Sequence, residues 1–508
     1  MSGEGARRTD DVELVEVEPD GGSPDTSGRS DDEVAGSAAV RVGWWRRYRW
    51  WLASGLVVLV GVTPSAVHAV QERVRLSQLA HVPGIVAPLD GPVHEQWSVD
   101  APFQVIGEVG GVLLGTQTDE KGVTSVRGID ARTGRARWSV PVTVPNSTSG
   151  QCVLADGPVT GQDKAVLACL VVDEATPVSA PAGARVMGQP LQVHLATLDP
   201  RTGAVLGTFR ADPVETISAL GTDIVIASHQ VDSRGAETTV RRWDPRTGSV
   251  AWTAHHPDTA GDGASSPSIQ ESGGVLLVQD GGDVWEVSAS GAELRSWTGL
   301  PADGNYSLRR TAGGHVLLTT YGQIATTSGE ASGGSGATGF EEEVKDLGVG
   351  TTFTLTSPVS TKAVVDDGSA PDLLLVPSAP SAAYDLRTGR EIWRVHREIE
   401  AFVVLDGTVY TAGAGTVSAI DARTGTTRWT VHTGSSTNTG TLATDGRSIF
   451  VMTARGGSTA STVEALDLTD GTTTWTSTLS HTFAGLRMLG DHLAAFTNGN
   501  PGQVTALG

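Results

Sequence analysis

One short phrase recurs along this chain and constrains its fold more than any other feature. Residues 130–134 read DARTG and are followed by Trp138. Residues 244–248 (DPRTG) lead to Trp252, 385–389 (DLRTG) to Trp393, 421–425 (DARTG) to Trp429, and 467–471 (DLTDG) to Trp475. A sixth copy, 199–203 (DPRTG), keeps the turn but carries Gly207 where the tryptophan would stand. Self-similarity at intervals of a few tens of residues is the signature of a repeat architecture.

The flanks of each phrase alternate apolar and polar. Before Asp421 runs Thr416-Val417-Ser418-Ala419-Ile420, and after Gly425 runs Thr426-Thr427-Arg428-Trp429-Thr430-Val431. Such β-branched, period-two segments predict strands, and the five residues between them predict a hairpin turn. Asp accepts hydrogen bonds from the amides ahead of it, and Gly supplies a positive φ without steric cost. Trp429 and Val431 fall on one face of the outgoing strand. An indole at one fixed place per repeat is suited to plug the space between adjacent sheets. The six Asp therefore read as turn caps rather than metal or catalytic groups, and the tryptophans as inter-sheet residues rather than a ligand cage.

From about Trp97 to Gly508 this pattern resembles the repeat of the pyrroloquinoline-quinone (PQQ) dehydrogenase propellers and their cofactor-free, BamB-like relatives. The resemblance implies an all-β, closed β-propeller of four-stranded blades, the turn joining the two outer strands and the tryptophans docking neighbouring blades. Turns are expected at Asp130, Asp199, Asp244, Ser290-Gly291, Ser328-Gly329, Asp385, Asp421 and Asp467, Trp297 being displaced after the fourth. The chain stops after a third strand, Gln503 to Leu507, whereas His94 to Val99 reads as a fourth strand with no blade before it. The expectation is that the N-terminal strand completes the last blade, leaving no open edge. The resemblance favours eight blades, with Thr326 to Pro371 as an insertion; nine follow if Gly329 marks a blade.

Ahead of the propeller the composition changes. Residues 1–43 hold eleven Asp and Glu against four Arg, with no apolar periodicity, and read as a disordered acidic tail. Residues 44–70 begin with Trp44-Trp45-Arg46-Arg47-Tyr48-Arg49-Trp50-Trp51 and continue as an uncharged, mostly apolar stretch. About 20 such residues span a bilayer as a helix, and the arginine flank places the tail in the cytoplasm and the propeller outside. A signal peptide cleaved after Val67-His68-Ala69 is the competing reading, and a buried core helix a third. Residues 71–92 read as stalk and linker. The net charge of −21 disfavours a nucleic-acid partner.

Candidate chemistry is sparse. Cys152 and Cys169 are the only cysteines, and an exported compartment permits their pairing without requiring it. Relatives that oxidise alcohols use a carboxylate base, a calcium held by acidic and amide groups, and usually an adjacent Cys-Cys pair. No adjacent pair exists here, and no segment matches the rest of that constellation, so no catalytic, cofactor or metal residue carries over and no cofactor is expected. Neighbours on a strand face opposite ways, so His255 and His256 are not expected to share a metal; they read as a strand end or surface loop. Glu341 to Glu343, with Asp366-Asp367, read as solvated loop charge, and the Gly/Ser stretch near Gly333 as a linker.

The functional expectation is a non-catalytic, membrane-anchored, extracytoplasmic propeller that binds or scaffolds envelope proteins, with Thr326 to Pro371 as a first contact segment. Two alternatives stand beside it: a divergent PQQ-dependent oxidoreductase, and an envelope sensor whose cytoplasmic tail meets an intracellular partner.

Overall fold

Each turn phrase closes an antiparallel hairpin, and every hairpin lies on the outer side of a sheet. In the computed structural model these sheets form a closed ring of nine blades, numbered here in chain order. The structure describes residues 70–508 apart from 80–81, 101–102, 146, 148–149, 157–163, 177–187, 214, 233–234, 258–266, 301–305, 325–338, 356–362, 378–379, 434–440, 455–459 and 498–502. The chain divides into two units, 1–71 and 72–508. The expected tail and membrane segment, 1–70, lie outside the described residues apart from Val70. Among the described residues no helix is long and apolar enough to cross a membrane.

Blades 1 to 5 occupy residues 103–141, 152–211, 216–257, 268–297 and 306–355, each a four-stranded antiparallel sheet. Blade 7 (401–432) and blade 8 (442–478) repeat the pattern. Blade 6 departs from it. Its Val365–Asp366 strand pairs in parallel with the innermost strand of blade 7, Ala401–Leu405. That leaves a three-stranded sheet of Leu373–Val376, Ser381–Asp385 and Glu391–Val395. In blade 9, Gly485–Leu489, His492–Phe496 and Gln503–Leu507 are joined by the N-terminal Glu95–Asp100. His94 N donates to Gly508 O at 3.0 Å, and Gly508 N returns the bond to His94 O at 3.1 Å. The expected closure is therefore present.

Nine blades correct the favoured count of eight. The fifth turn is not Ser328-Gly329, which falls in the undescribed 325–338, between the second and third strands of blade 5. It is Asp346-Leu347-Gly348-Val349-Gly350, where Gly350 N donates to Asp346 O at 2.7 Å. The supposed insertion thus contains the two outer strands of blade 5. Glu341 to Glu343 lie in one of them, Gly339–Asp346, rather than in a loop.

The turns are alike in detail. In the six copies of the phrase the glycine has φ between 68° and 74°. Its N–H donates to the Asp carbonyl at 2.8–3.0 Å. In blade 7 the Asp421 carboxylate also accepts Thr424 N at 3.0 Å and Arg428 Nη2 at 2.8 Å. The tryptophan then reaches the next blade's turn. Indole Nε1 donates to the carbonyl one residue past the turn's start: Trp97 to Ala131 (2.9 Å), Trp252 to Ala289 (3.0 Å), Trp297 to Leu347 (2.8 Å), Trp393 to Ala422 (2.9 Å) and Trp429 to Leu468 (3.0 Å). The indole also packs on that turn's glycine: a Cβ on Gly134 would stand 2.6 Å from Trp97, and one on Gly425 2.4 Å from Trp393. Glycine is thus needed twice over, for its φ and for the close approach. Where Gly207 replaces the tryptophan, Phe209 takes its place, lying 3.7 Å from a Cβ built on Gly248 and edge-on to Trp243 at 4.6 Å.

The core follows from this docking. Nine apolar clusters of described residues each join two neighbouring blades. Inner strands of blade 7 meet a blade on both faces and are buried throughout, as in the all-apolar Ala401–Leu405 and in Thr408–Gly413. Outer strands alternate, as in Thr427–His432. The joint between blades 9 and 1 packs Phe103, Leu113 and Ile129 on Leu489, Val504 and Ala506, with Trp97 at its rim.

The segment read as stalk and linker lies against blades 6 to 9. Residues 70–79 are helical. Arg75 Nε donates to Asp406 at 2.6 Å and its Nη1 to Gly446 O at 2.9 Å, while Leu79 is buried with Val403, Leu405 and Leu442. Val86 N then donates to Thr444 O at 2.9 Å and Ala87 N to Asp491 O at 2.7 Å, while Gly84 packs on Val365. These contacts strap the chain along the face that carries the outer hairpin turns.

Four outcomes are expected. Gly425→Ala will cost about 3 kcal/mol of unfolding free energy, combining a left-handed backbone with displacement of Trp393. Gly350→Ala, at φ 83° with open space around it, will cost only about 1 kcal/mol; urea unfolding measures both. Replacing Cys152 and Cys169 together by Ser will remove about 3 kcal/mol, because their disulfide closes a loop with a sequence separation of 17. Finally, the Arg428 and Thr424 hydrogen bonds hold Asp421 at about 2, below its ordinary 3.8. A depressed carboxylate stabilises the fold above its unfolded value and loses that contribution as pH falls through about 2. The difference in urea midpoint between wild type and Asp421→Asn should therefore shrink between pH 4 and pH 2.

Candidate functional site

Packing blades around an axis leaves inner strands lining a channel. On the side of blades 1 to 4 this wall bounds an open hollow of about 620 Å3, whose lining includes Gln104, Val105, Gln151, Cys152, Ser218 and Glu271. Gln151 is held in place: its Nε2 donates to Ile217 O at 2.7 Å, and Ile217 N donates to its Oε1 at 3.1 Å. Glu271 accepts Gly274 N at 2.7 Å. The wall thus offers amide, hydroxyl and aliphatic surface with a single carboxylate. That chemistry can hydrogen-bond a polar guest.

Cys152 and Cys169 are direct register partners on neighbouring strands and form a disulfide, which pins the inner strand of blade 2. They face each other across a ladder rather than along the chain, unlike the adjacent pair of quinone enzymes.

At the strapped face, carboxylates from three blades approach one another. Burial, with repulsion from Asp491, raises Asp156; burial, with repulsion from Glu108, raises Asp491. Glu108 in turn raises His492 through a hydrogen bond. Among the described residues no three His, Cys, Asp or Glu groups are assembled as a metal site. A second polar hollow of about 640 Å3 lies between the helix and blades 7 and 8, where Arg75, Arg428 and Arg447 meet Asp406 and Asp467.

Several residues singled out in the sequence sit elsewhere than expected. His255 and His256 do face opposite ways, but only His255 is at the surface, beside Glu237. His256 is buried and stacked on Trp285 with centroids 4.2 Å apart. Asp366 is half-buried in a short strand, where burial raises it, and Asp367 accepts Asp406 N at 2.7 Å. Glu343 is exposed. Sequence reasoning missed the lining of the channel, which comes from strands of four blades and has no local signal. It also missed His229, which pairs with Asp280 inside the protein and stands in an otherwise ordinary strand.

Residues 381–507 match the family model described as outer membrane protein assembly factor BamB. No curated protein matches the sequence. Similar solved structures include BamB from Moraxella catarrhalis, 14% identical, covering 82% of this chain and 99% of that one with a TM-score of 0.34. The quinohemoprotein alcohol dehydrogenase ADHIIG from Pseudomonas putida HK5 is 15% identical, covering 82% and 76% with a TM-score of 0.36. The quinohemoprotein alcohol dehydrogenase of Comamonas testosteroni is 14% identical, covering 82% and 76%, also at 0.36. Likenesses at this level assign neither activity nor partner. The matched region spans the outer part of blade 6 through blade 9, and the same turn geometry recurs in the earlier blades, so the chain is similar to the PQQ-like β-propeller family over that region.

Proposed function

We propose that this chain is a non-catalytic, membrane-anchored propeller outside the cytoplasm that binds or scaffolds proteins of the cell envelope. The observation that carries this reading is the match of residues 381–507 to a family described as an outer membrane protein assembly factor. The way the repeat residues are used supports it. Asp, Gly and Trp of the phrase are occupied in joining blade to blade, and the channel cavity offers hydrogen-bonding surface. The Cys152–Cys169 disulfide supports an oxidising compartment. The apolar stretch after the arginine flank supports an anchor.

The strap suggests which face meets a partner. Residues 72–94 cover part of the turn-bearing face at blades 6 to 9, so contact is assigned to the opposite, loop-bearing face. There the hairpins of blades 2 and 3 extend furthest, through Val166–Ala175, Pro190–Leu198, Asp223–Asp232 and Gly235–Trp243. Leu191 and Val231 are exposed near their ends.

Alkaline phosphatase fused after Gly508 tests the placement. Activity in intact bacteria, in the membrane fraction, is the expected result, and an inactive fusion would remove the extracytoplasmic reading. Incubation with PQQ and calcium tests the oxidoreductase alternative. No quinone absorbance should survive desalting; retained quinone together with dye reduction by alcohols would replace scaffolding with catalysis.

A further inference from the structure

The innermost strand of a blade has a sheet neighbour on its outer side only, so its channel edge presents unpaired N–H and C=O groups. On blades 7 and 8 the chain fills that edge with extended segments of its own. Val365–Asp366 runs parallel to Ala401–Leu405, with Val365 opposite Val403. Val364 N donates to Phe402 O at 2.9 Å, and Asp367 N to Val404 O at 3.2 Å. Ile85 makes a parallel bridge to Thr444, in the innermost strand of blade 8, and Val86 N donates to Thr444 O at 2.9 Å. Val86 and Val365 are buried in these positions.

On blades 1 to 4 the corresponding edges line the open hollow. Backbone groups two residues apart on a strand point to the same side, and neighbouring residues point to opposite sides. Ile217 turns its N–H and C=O toward the side-chain amide of Gln151, which meets both. A primary amide carries the donor and acceptor of a peptide group, so Gln151 stands in for one residue of an added strand. Ala219, two residues on, lines the hollow with its groups aimed the same way. In blade 2, Leu170 N donates to Gln151 O at 2.8 Å, so the N–H and C=O of Cys152 and Leu154 face the channel. Among the described residues no strand pairs with that edge of Cys152–Ala155.

We propose that the hollow takes an extended peptide segment of a partner protein, which adds as a parallel strand to the inner edge of Cys152–Ala155. Main-chain hydrogen bonds supply affinity in such additions, and alternate side chains supply specificity. One row of peptide side chains faces Val105 and Ile106 of blade 1, which favours small apolar residues. The other row faces Ser218 of blade 3 and Glu271 of blade 4, the one charged group in the lining, which favours polar residues and a basic one. The site rests on the protein-binding reading above and specifies the form of the partner.

The probe is a phage-displayed library of random heptapeptides selected on the purified full chain. Enriched peptides should alternate apolar and polar residues and carry a lysine or arginine. Only every second N–H of an added strand faces the protein. N-methylation of a selected peptide at those residues should lower its affinity about tenfold or more, and methylation at the intervening residues should change it less than about twofold. Glu271→Lys and Leu154→Pro should each weaken binding about tenfold. The Leu154 N–H points away from its ladder, so proline spares the sheet. Thermal unfolding establishes that the variants fold; should Leu154→Pro not fold, the methylation pattern and Glu271→Lys decide. Uniform sensitivity to methylation overturns the strand addition, as does a library that yields no peptide. Selected peptides that bind both variants as they bind wild type overturn this site and leave the protein-binding reading standing.

Discussion

The contact between an indole on one blade and a glycine turn on the next governs this molecule. It is directional, because the tryptophan ends one repeat and the glycine belongs to the following one. It combines a hydrogen bond with close packing: Trp393 Nε1 donates to Ala422 O at 2.9 Å while its ring covers Gly425. A blade alone would leave two apolar faces in water. Nine interblade clusters bury those faces only if every blade finds a neighbour on both sides. The ring is therefore stable as a whole, and closure between blades 9 and 1 is a condition for it.

Departures from the pattern show what the contact tolerates. Trp297 stands two residues late and still reaches Leu347 O at 2.8 Å. Phe209 fills the space left by Gly207 but cannot donate a hydrogen bond. In blade 2 the residue after the turn Asp is Pro200, which has no N–H. Its counterparts Ala131 and Ala422 tie their turns to Gly111 O and Gly407 O at 3.0 and 2.9 Å. Trp138 packs on Gly203 there, yet its Nε1 is buried without an acceptor among the described residues. Apolar packing is thus common to these joints, and the hydrogen bond is an addition that single blades do without.

What the sequence disclosed follows the same division. Turn and indole spacing are local, so Asp130, Asp421 and their partners could be read directly, and so could closure by the strand after His94. The fifth blade escaped because 346–350 (DLGVG) keeps only the Asp and the final Gly, with no Thr before it and Thr354 in place of a tryptophan. The resemblance favoured eight blades, and that gap let Thr326 to Pro371 pass for an insertion. Pairing of Cys152 with Cys169 depends on strand register, which their spacing alone does not determine. The channel lining and the His229–Asp280 pair join residues from different blades, and long-range juxtaposition leaves no periodic trace.

The pairing of Glu95–Asp100 with Gln503–Leu507 has a consequence for biosynthesis. The strand that seals the ring is among the first parts of the propeller to be made, and its partner is among the last. Until that partner emerges, a nascent chain carries two bare sheet edges and an uncovered apolar face at each end of its stack. Products that stop short of residue 503 keep both permanently. Proteases and chaperones that recognise exposed edges would thus act as an inspection for full length.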